Sequence, residues 1–381
     1  MQSGKVIIIG GGIGGLSAAI ALNNKGFSVE VLERSSGLHS SVFGVGIIQP
    51  NNALRALDMI GCADACIEAG YSTRAWGMQL DAAGHETRQM PGAVAENSHL
   101  PPMNGLTRPK LHEILTRKAV ESGASIRYGT RYRSLQPNEN GVVVHLEDGT
   151  SLDADIVVGA DGTYSQTRKY VFDQDIGPVY NGQSAFRMNI PRTVPGFGEI
   201  DRIILQHAPH GMAGYVPIGP DLAYMFLNSS WPAGTRLEEH ELAPALRERL
   251  QGFGGLTGYV RDNFVHDGNE IVFRPIEWMI VPPPWHKDRI VLIGDAAHAF
   301  LPHLGQGAAQ AIEDGIVLAE CLAEDATCEQ AFKRYIDRRY ERCRMVIQGC
   351  VDIGEWEKGH LPDFDNIATT QRIMETLLAP I

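Results

Sequence analysis

One stretch of the sequence ends an apolar run with an aspartate and then turns into a helical pattern. In RIVLIGDAAHAFLPHLGQGAAQAIEDG, which extends from Arg289 to Gly315, a buried-strand pattern leads to Gly294-Asp295, a loop with Pro302 follows, and an alanine-rich helix begins. One interpretation is structural, namely a strand, a turn and a helix cap. The other is a ligand site, because the strand end presents a carboxylate and the helix start presents free backbone N–H groups.

A glycine-rich turn near the amino terminus has the spacing of a dinucleotide site. GGGIGG contains G-x-G-x-x-G directly after the strand pattern KVIIIG, and the strand pattern that follows the next helix ends in an acid. Such glycines permit a tight turn, close approach of amides to a pyrophosphate and close helix packing, and the acid can accept both hydrogen bonds of a ribose diol, as in NAD or FAD. The candidate contacts are Gly10, Gly12, Ile13, Gly14, Gly15, Glu33 and Arg34. An exposed surface arginine explains Arg34 equally well.

Two further acidic positions favour FAD over NAD. DADIVVGADGTYSQTR places Asp161 after a second buried-strand pattern, and Asp295 follows a third. A second acid at this edge of the sheet suits a ligand with another polyol, and FAD has one in its ribityl chain. The helix start from Leu304 to Ala308 suits the N1–C2=O edge of the isoalloxazine ring, which becomes anionic on reduction. We therefore expect Asp295 to hold the ribityl or pyrophosphate region and the helix start to stabilise reduced flavin.

The elements that must position these residues predict a parallel sheet with an insertion. KVIIIG, GGIGGLSAAIALNNKG and FSVEVLER form a β-α-β unit, so the chain begins with a parallel sheet. From about Gly182 to Glu270 the sequence shows alternating strand patterns and many Pro and Gly residues. This segment predicts a second, mainly antiparallel layer inserted into the first fold.

The composition limits the partners and the cellular context. The chain has 381 residues, 44% of them apolar and 20% charged, as in a globular protein long enough for two domains. Its net charge of −12 repels polyanions, so we expect neither nucleic acid nor an anionic membrane as a partner. We also expect neither a signal peptide nor a transmembrane helix. Six cysteines without metal-ligand spacing favour reduced thiols, no metal and a cytoplasmic location, and we expect a monomer or a homodimer.

Three motifs resemble those of the class A flavoprotein monooxygenases, the family that includes the p-hydroxybenzoate, salicylate and 6-hydroxynicotinate hydroxylases. They are GGGIGG with Glu33, DIVVGADGTYSQTR, and VLIGDAAHAFLPHLGQGAAQAIEDG. The resemblance implies an α/β fold in which a Rossmann-type FAD-binding domain with a parallel sheet is interrupted by a mainly antiparallel α+β substrate domain. The expected limits are 1–72, 100–178 and 271–345 for the FAD-binding domain, 73–99 and 179–270 for the substrate domain, and 346–381 for a C-terminal helical segment.

The same resemblance assigns FAD contacts to individual residues. It implies that Arg108 of GLTRPKL is the flavin-binding arginine and that the backbone at Tyr132 contacts the adenine. Asp161 lies in an element associated with both FAD and the pyridine nucleotide, and Asp295 corresponds to the FAD-binding aspartate.

The family also implies a reaction. NAD(P)H reduces FAD, the reduced flavin captures O2 as a C4a-hydroperoxide, and the distal oxygen passes to an electron-rich, phenol-like ring of a small aromatic or heteroaromatic substrate. The Pro302 carbonyl is expected to face flavin C4a, with Gly305 and Gly307 flanking the ring. A base or acceptor is needed for the substrate hydroxyl, and the candidates are His303, since PHLGQG resembles PHxxQG of hydroxynicotinate-type enzymes, and Tyr215 in the inserted sheet. A histidine that caps the loop or is exposed, and a tyrosine in the core or pocket wall, are the structural alternatives.

Three other functions fit the same motifs. A flavin monooxygenase of a larger polycyclic or antibiotic-like compound uses the same fold, since the pocket shape is not readable from sequence. A flavin dehydrogenase or reductase is a second alternative, although no CxxxxC pair lies beside the first helix. A flavin-binding module without catalytic activity is the third.

Overall fold

The computed structural model describes residues 4–38, 45–90, 92–96, 98–195 and 201–381. The strands, in chain order, are β1 (Lys5–Ile9), β2 (Ser28–Leu32), β3 (Gly46–Pro50), β4 (Tyr71–Thr73), β5 (Ala75–Leu80), β6 (Glu86–Met90), β7 (Met103–Thr107), β8 (Ser125–Arg127), β9 (Tyr132–Pro137), β10 (Val142–Leu146), β11 (Ser151–Ala154), β12 (Ile156–Gly159), β13 (Val179–Pro191), β14 (Arg202–Ala208), β15 (Gly211–Pro217), β16 (Leu222–Ser230), β17 (Val272–Ile280), β18 (His286–Lys287), β19 (Ile290–Leu292) and β20 (His298–Ala299). The α-helices are α1 (Ile13–Asn24), α2 (Asn51–Met59), α3 (Ala63–Ala69), α4 (Arg108–Glu121), α5 (Gln166–Phe172), α6 (Glu239–Arg249), α7 (Gly255–Phe264), α8 (Gly307–Glu324), α9 (Cys328–Glu357) and α10 (Asn366–Thr376). Short 3-10 turns lie at Gly294–Ala296 and Pro302–Leu304.

A six-stranded sheet in the order β18-β19-β12-β1-β2-β8 forms the centre of the first layer. The pairs β19–β12, β12–β1, β1–β2 and β2–β8 are parallel, whereas β18 pairs antiparallel with β19. Because helices cover both faces of a parallel sheet, its central strands are apolar throughout, as the buried residues of β1 and β12 illustrate. Helices α1 and α8 pack closely, since a Cβ at Gly315 would lie 2.6 Å from the Ala18 nitrogen.

An eight-stranded sheet in the order β20-β17-β13-β16-β15-β14-β5-β6 forms the second layer. It is antiparallel apart from the parallel pair β14–β5. Side chains alternate between its two faces, and one face packs Phe186 and Tyr215 against α6 and α7. The opposite face carries Val216 and Tyr224 and shares a core with Leu304 and with residues of α9 and α10. The predicted fold class, a parallel sheet combined with a mainly antiparallel layer, is therefore confirmed.

Two elements lie across the expected domain limits. Strand β17 belongs to the eight-stranded sheet although residues 271–345 were expected in the FAD-binding domain, because its alternating residues pair with β13. Helix α9 continues without interruption through residues 345 and 346, since no proline or glycine turn divides it there. These two elements do not follow the expected limits at 271 and 346, and the division into domains stays a prediction.

Two further features of the described residues concern the cysteines and the apolarity of the helices. All six cysteines are buried, and they form no disulfide with one another. None of the helices among the described residues combines the length and apolarity needed to cross a membrane.

Candidate functional site

The glycine turn between β1 and α1 is shaped by close packing on two sides and is open on a third. Gly10 has φ +108°, and a Cβ there would lie 2.3 Å from the Ala160 carbonyl oxygen. A Cβ at Gly15 would lie 2.0 Å from the Gly10 oxygen. At Gly12, by contrast, a Cβ would meet no described atom within 4 Å. Gly10 and Gly15 are therefore required by the fold, whereas Gly12 leaves room for a ligand.

A cavity of about 510 Å³ opens at the carboxyl ends of β1, β2 and β12. It is lined by Gly10, Gly12, Glu33, Arg34, Tyr132 and Asp161, among others. These residues come from separate parts of the chain and were all predicted as cofactor contacts. Ile13 and Gly14 follow in the first turn of α1, where Gly14 faces Ala311 of α8.

Glu33 is fixed at the end of β2 by backbone donors. The amide of Gly11 donates to Glu33 Oε2 at 2.8 Å, and the amide of Ser35 donates to Oε1 at 2.8 Å. Each carboxylate oxygen has two lone pairs, so both can accept a further hydrogen bond from a ribose. The geometry fits the predicted role.

The carboxylate of Asp161 stabilises the loop that follows it. Its carboxylate accepts hydrogen bonds from the amides of Gln166 and Thr167, at 2.9 and 3.0 Å, and from the hydroxyls of Ser165 and Thr167. These bonds cap the start of α5 and order the loop that carries Gly162 and Thr163. The sequence did not indicate that most of the hydrogen-bonding capacity of Asp161 is used inside the protein.

Asp295 lies in the 3-10 turn that follows β19. Thr163 Oγ1 donates to its Oδ2 at 3.4 Å, which joins the second and third sequence motifs. Burial raises the pKa of Asp295, although the fields of Arg108 and His298 oppose this shift. Arg108 itself begins α4, whose first turn is capped by Thr107. The predicted aspartate and arginine are thus brought together.

The loop before α8 packs against β3. Gly305 closes the Pro302–Leu304 turn with φ +62°, and a Cβ there would lie 3.3 Å from the Cβ of Ile48. Leu304 is fully buried in the core, whereas Gly307 and Ala308 are partly exposed at the helix start. The side chain of Gln306, the residue at the N-cap, does not cap this end of α8. Its first N–H groups are therefore available to an anionic ligand.

His303 is buried, although its neighbour Pro302 is exposed. The side chain of His303 is 0% exposed, and its Nε2 lies 3.3 Å from Oε2 of Glu357 in α9. Within the described residues, neither ring nitrogen of His303 has a hydrogen-bond partner of good geometry. A surface histidine is therefore the wrong interpretation of this residue.

Tyr215 lies on the opposite face of the eight-stranded sheet. It is fully buried, and its hydroxyl donates to Thr257 Oγ1 of α7 at 2.9 Å. Burial raises the pKa of the Tyr215 hydroxyl. The structure therefore contradicts its selection as a catalytic residue, because strand alternation directs it away from the loop that carries His303.

Sequence reasoning missed two polar residues, Tyr224 and Asn228, on the face that does point to this loop. Tyr224 packs over Gly46 of β3, and both Arg187 and Arg108 oppose the rise in its pKa that burial causes. Asn228 is 1% exposed, and neither atom of its amide has a hydrogen-bond partner in the described parts of the chain. The alternation of LAYMFLNSS was the available signal, but it does not reveal which face meets the loop.

Two buried histidines support the site. His112 Nε2 of α4 contacts the Gly11 carbonyl oxygen at 2.7 Å and so holds the glycine turn. His298 pairs with Asp314 of α8, whose other oxygen accepts from Arg339. The possible ligand atoms of His298, Asp314 and Cys343 lie close enough together to hold one metal ion, but the Arg339 guanidinium already supplies positive charge there.

A family model described as FAD binding domain matches residues 3–353. The chain belongs to this family of FAD-dependent monooxygenases. FAD is accordingly its cofactor, as predicted.

Three relatives in the family align over most of their length. The putative FAD-dependent monooxygenase YetM of Bacillus subtilis is 34% identical, covering 90% of this chain and 90% of the relative. The aurachin C monooxygenase/isomerase of Stigmatella aurantiaca is 31% identical, covering 92% and 90%. The 6-hydroxynicotinate 3-monooxygenase of Pseudomonas fluorescens is 30% identical, covering 91% and 90%.

The fold is also that of solved family structures. The crystal structure of Klebsiella pneumoniae HpxO with FAD and uric acid matches with a TM-score of 0.81 at 22% identity, covering 98% of this chain and 92% of that chain. The resemblance predicted from the three motifs is therefore confirmed.

Proposed function

We propose that this FAD monooxygenase uses NAD(P)H and O2 to hydroxylate a small aromatic or heteroaromatic substrate with a phenol-like hydroxyl group. The observation that carries the proposal is His303 on the loop that leads into α8, because its side chain is fully buried and has no well-aligned partner among the described residues. A buried imidazole in this state favours a ligand that supplies the missing hydrogen bond.

The residues of the cavity and of the helix start fit FAD. Gly12 leaves open space where a pyrophosphate would approach, Glu33 can accept from the ribose, and the uncapped start of α8 can face the anionic edge of the ring. The proposed contacts are Gly10, Gly12, Ile13, Gly14, Gly15, Glu33, Arg34, Arg108, Tyr132, Asp161, Asp295, Leu304, Gly305, Gly307 and Ala308. Bound FAD supplies electron transfer from NAD(P)H and activation of O2.

His303 is proposed as the residue that accepts or hydrogen-bonds the substrate hydroxyl. A deprotonated ring oxygen makes the neighbouring carbons more nucleophilic, so a base next to the ring assists hydroxylation. Arg187, Tyr224 and Asn228 on the facing sheet are proposed to orient the substrate. Tyr215 is not retained.

The substrate class is supported by the relatives. Their names specify 6-hydroxynicotinate and aurachin C as substrates of those enzymes. For this chain we propose a hydroxylated nitrogen heterocycle or phenol. Its net charge of −12 supports the absence of a nucleic-acid partner, and a monomer or homodimer is proposed.

A substrate panel tests the proposal. Phenolic acids, hydroxypyridines and quinolones are added singly to the FAD-loaded protein, and NADH or NADPH oxidation, O2 uptake and hydroxylated product are measured. We expect at least one compound to accelerate flavin reduction and to yield product. Anaerobic turnover without hydroxylation would favour the reductase alternative, and conversion of only tetracycline-like compounds would favour the polycyclic one.

His303→Ala tests the assigned base. We expect it to retain FAD and to lower the product formed per NAD(P)H consumed. The matched control is His240→Ala, at an exposed position of α6. If His303→Ala forms as much product per NAD(P)H consumed as wild type does, His303 has no role in the reaction.

A further inference from the structure

Glu357, the last residue of α9, is a buried carboxylate in an unfavourable place. Its side chain is 5% exposed, and its only ion-pair contact among the described residues is with His303. Burial of a carboxylate is costly without a partner, and the negative end of the helix dipole adds to that cost. Gln183 Nε2 donates to Glu357 Oε2 at 3.1 Å. An acid at this position therefore does not stabilise the fold by itself.

The neighbours of Glu357 nevertheless keep it ionised. Burial alone would raise its pKa, but His303, Gln183 and His207 outweigh that cost, so the pKa of Glu357 lies below its ordinary value of 4.5. Glu357 is therefore a charged hydrogen-bond acceptor beside the imidazole of His303. Proton location at His303 is thereby linked to the charge of Glu357.

A surface cleft adjoins Glu357 on the side of His207. The cleft has a volume of about 470 Å³, and its lining includes His207, Trp356, Glu357 and Asp81. The rings of His207 and Trp356 meet edge to face at 5.2 Å. His207 Nε2 is buried and lacks a hydrogen-bond partner within the described residues, and burial lowers the pKa of His207. An imidazole with an unpartnered nitrogen therefore lines the same cleft as Glu357.

We propose that Glu357 is a positioning residue for His303 and that a proton path leads from His303 through Glu357 and His207 to this cleft. The inference rests on the proposed function of His303. In this proposal, a small adjustment of the 3.3 Å approach lets the Glu357 carboxylate accept from Nε2–H of His303, and Nδ1, which is buried and has no partner among the described residues, is the proton acceptor. As the substrate O–H bond breaks, its proton binds Nδ1 and the Nε2 proton passes to Glu357, then to His207 and to water. The substrate keeps the electron pair as an oxyanion, and the protein returns to its starting charge.

Two substitutions separate positioning from proton transfer. Glu357→Gln keeps an oxygen that can accept from His303 but cannot take up a proton at neutral pH. Glu357→Leu removes the acceptor at similar volume. The matched control is Glu355→Gln, on the same helix, whose carboxylate pairs with Lys358 and His360 instead.

The first measurement is the tautomer of His303 in FAD-loaded protein, from ¹⁵N NMR of histidine-labelled samples assigned with His303→Gln. We expect Nε2–H in wild type, Glu357→Gln and Glu355→Gln, and its loss in Glu357→Leu. An unchanged tautomer in Glu357→Leu would overturn the positioning role. FAD content and thermal midpoint confirm that each variant is folded.

The second measurement is the ionisation of bound 4-nitrophenol, whose absorbance separates phenol from phenolate. We expect the rate of ionisation on mixing to fall about tenfold or more in Glu357→Gln and in His207→Gln, with no change in Glu355→Gln. An unchanged rate in either variant would overturn the path. If wild-type protein neither ionises 4-nitrophenol nor hydroxylates any panel compound, the proposed function fails, whereas the tautomer measurement still decides the role of Glu357.

Discussion

Asp314 and His298 form a buried ion pair that ties helix α8 to the turn carrying Asp295. His298 Nε2 lies 2.6 Å from Asp314 Oδ2, and both side chains are 0% exposed. The same oxygen accepts from the Gly294 amide at 2.8 Å, while Oδ1 accepts from Arg339 Nε at 2.7 Å. One carboxylate therefore fixes the strand end, the turn and the helix that together form one side of the proposed flavin site.

Asp314→Asn is expected to destabilise the protein and to weaken FAD binding. Removing the charge leaves Arg339 and His298 partly uncompensated in the core, a change that costs about 3–5 kcal/mol of unfolding free energy. The turn with Gly294 and Asp295 also loses a strong acceptor, so FAD dissociates more readily. Chemical unfolding and flavin fluorescence measure the two effects.

The control for this prediction is Asp337→Asn, which removes an exposed carboxylate paired with Lys333 on α9. It should change the unfolding free energy by less than about 1 kcal/mol. An Asp314→Asn protein as stable as this control would show that the buried network is not important for stability.

The same pair predicts how stability depends on pH. The pKa of Asp314 is lowered from 3.8 to about 2, because His298 and Arg339 outweigh its burial. Since the folded pKa lies below the unfolded one, this contribution is present above the unfolded value and is lost as the pH falls towards 2. The loss is about 2 kcal/mol. His298 has its pKa raised well above 6.5, so its contribution is lost only as the pH rises through that higher value.

Urea unfolding at a series of pH values checks this dependence. Wild type should lose stability between about pH 4 and pH 2 more steeply than Asp314→Asn, which lacks the titrating group. Equal slopes for the two proteins in this range would contradict the pKa shift of Asp314.

The glycine turn could be predicted from sequence because its information is local. The turn, Glu33 and the helix start lie within one β-α-β unit, so spacing alone brings them together. The position of Asp295 after a strand could be predicted for the same reason, and its contact with FAD stays a prediction. Glu357 and His207 carry no such signal, because the contact of Glu357 with His303 and the place of His207 beside Glu357 depend on how α9 crosses the large sheet. The prediction for Tyr215 was wrong because the alternation of residues along a strand separates the two faces of the sheet but does not show which face meets the loop with His303.

Gly12→Ala and Gly15→Ala are expected to fail in different ways. A methyl group at position 12 meets open space, so the protein should fold with unchanged thermal stability without FAD but bind FAD at least about tenfold more weakly, as bulk enters the proposed pyrophosphate site. A methyl group at position 15 would meet the Gly10 carbonyl oxygen at 2.0 Å, so Gly15→Ala should destabilise the fold itself. Thermal midpoints without FAD and FAD titrations distinguish the two. Equal FAD affinity in Gly12→Ala and wild type would remove this turn from the FAD site.

Tyr215→Phe and Tyr224→Phe compare the two faces of the large sheet. Tyr215→Phe removes the hydrogen bond that the buried Thr257 hydroxyl accepts, while Thr257 still donates to Gln206 Oε1, and should lower the unfolding free energy by about 1 kcal/mol, with the product formed per NAD(P)H unchanged. Tyr224→Phe removes a hydroxyl that interacts with Arg187 on the proposed substrate face, so it should raise the KM for the substrate several-fold with a smaller effect on stability. Steady-state kinetics and urea unfolding of both variants test the comparison. If Tyr215→Phe forms less product per NAD(P)H but is as stable as wild type, Tyr215 becomes a catalytic candidate again. Only a role in the reaction would explain such a result.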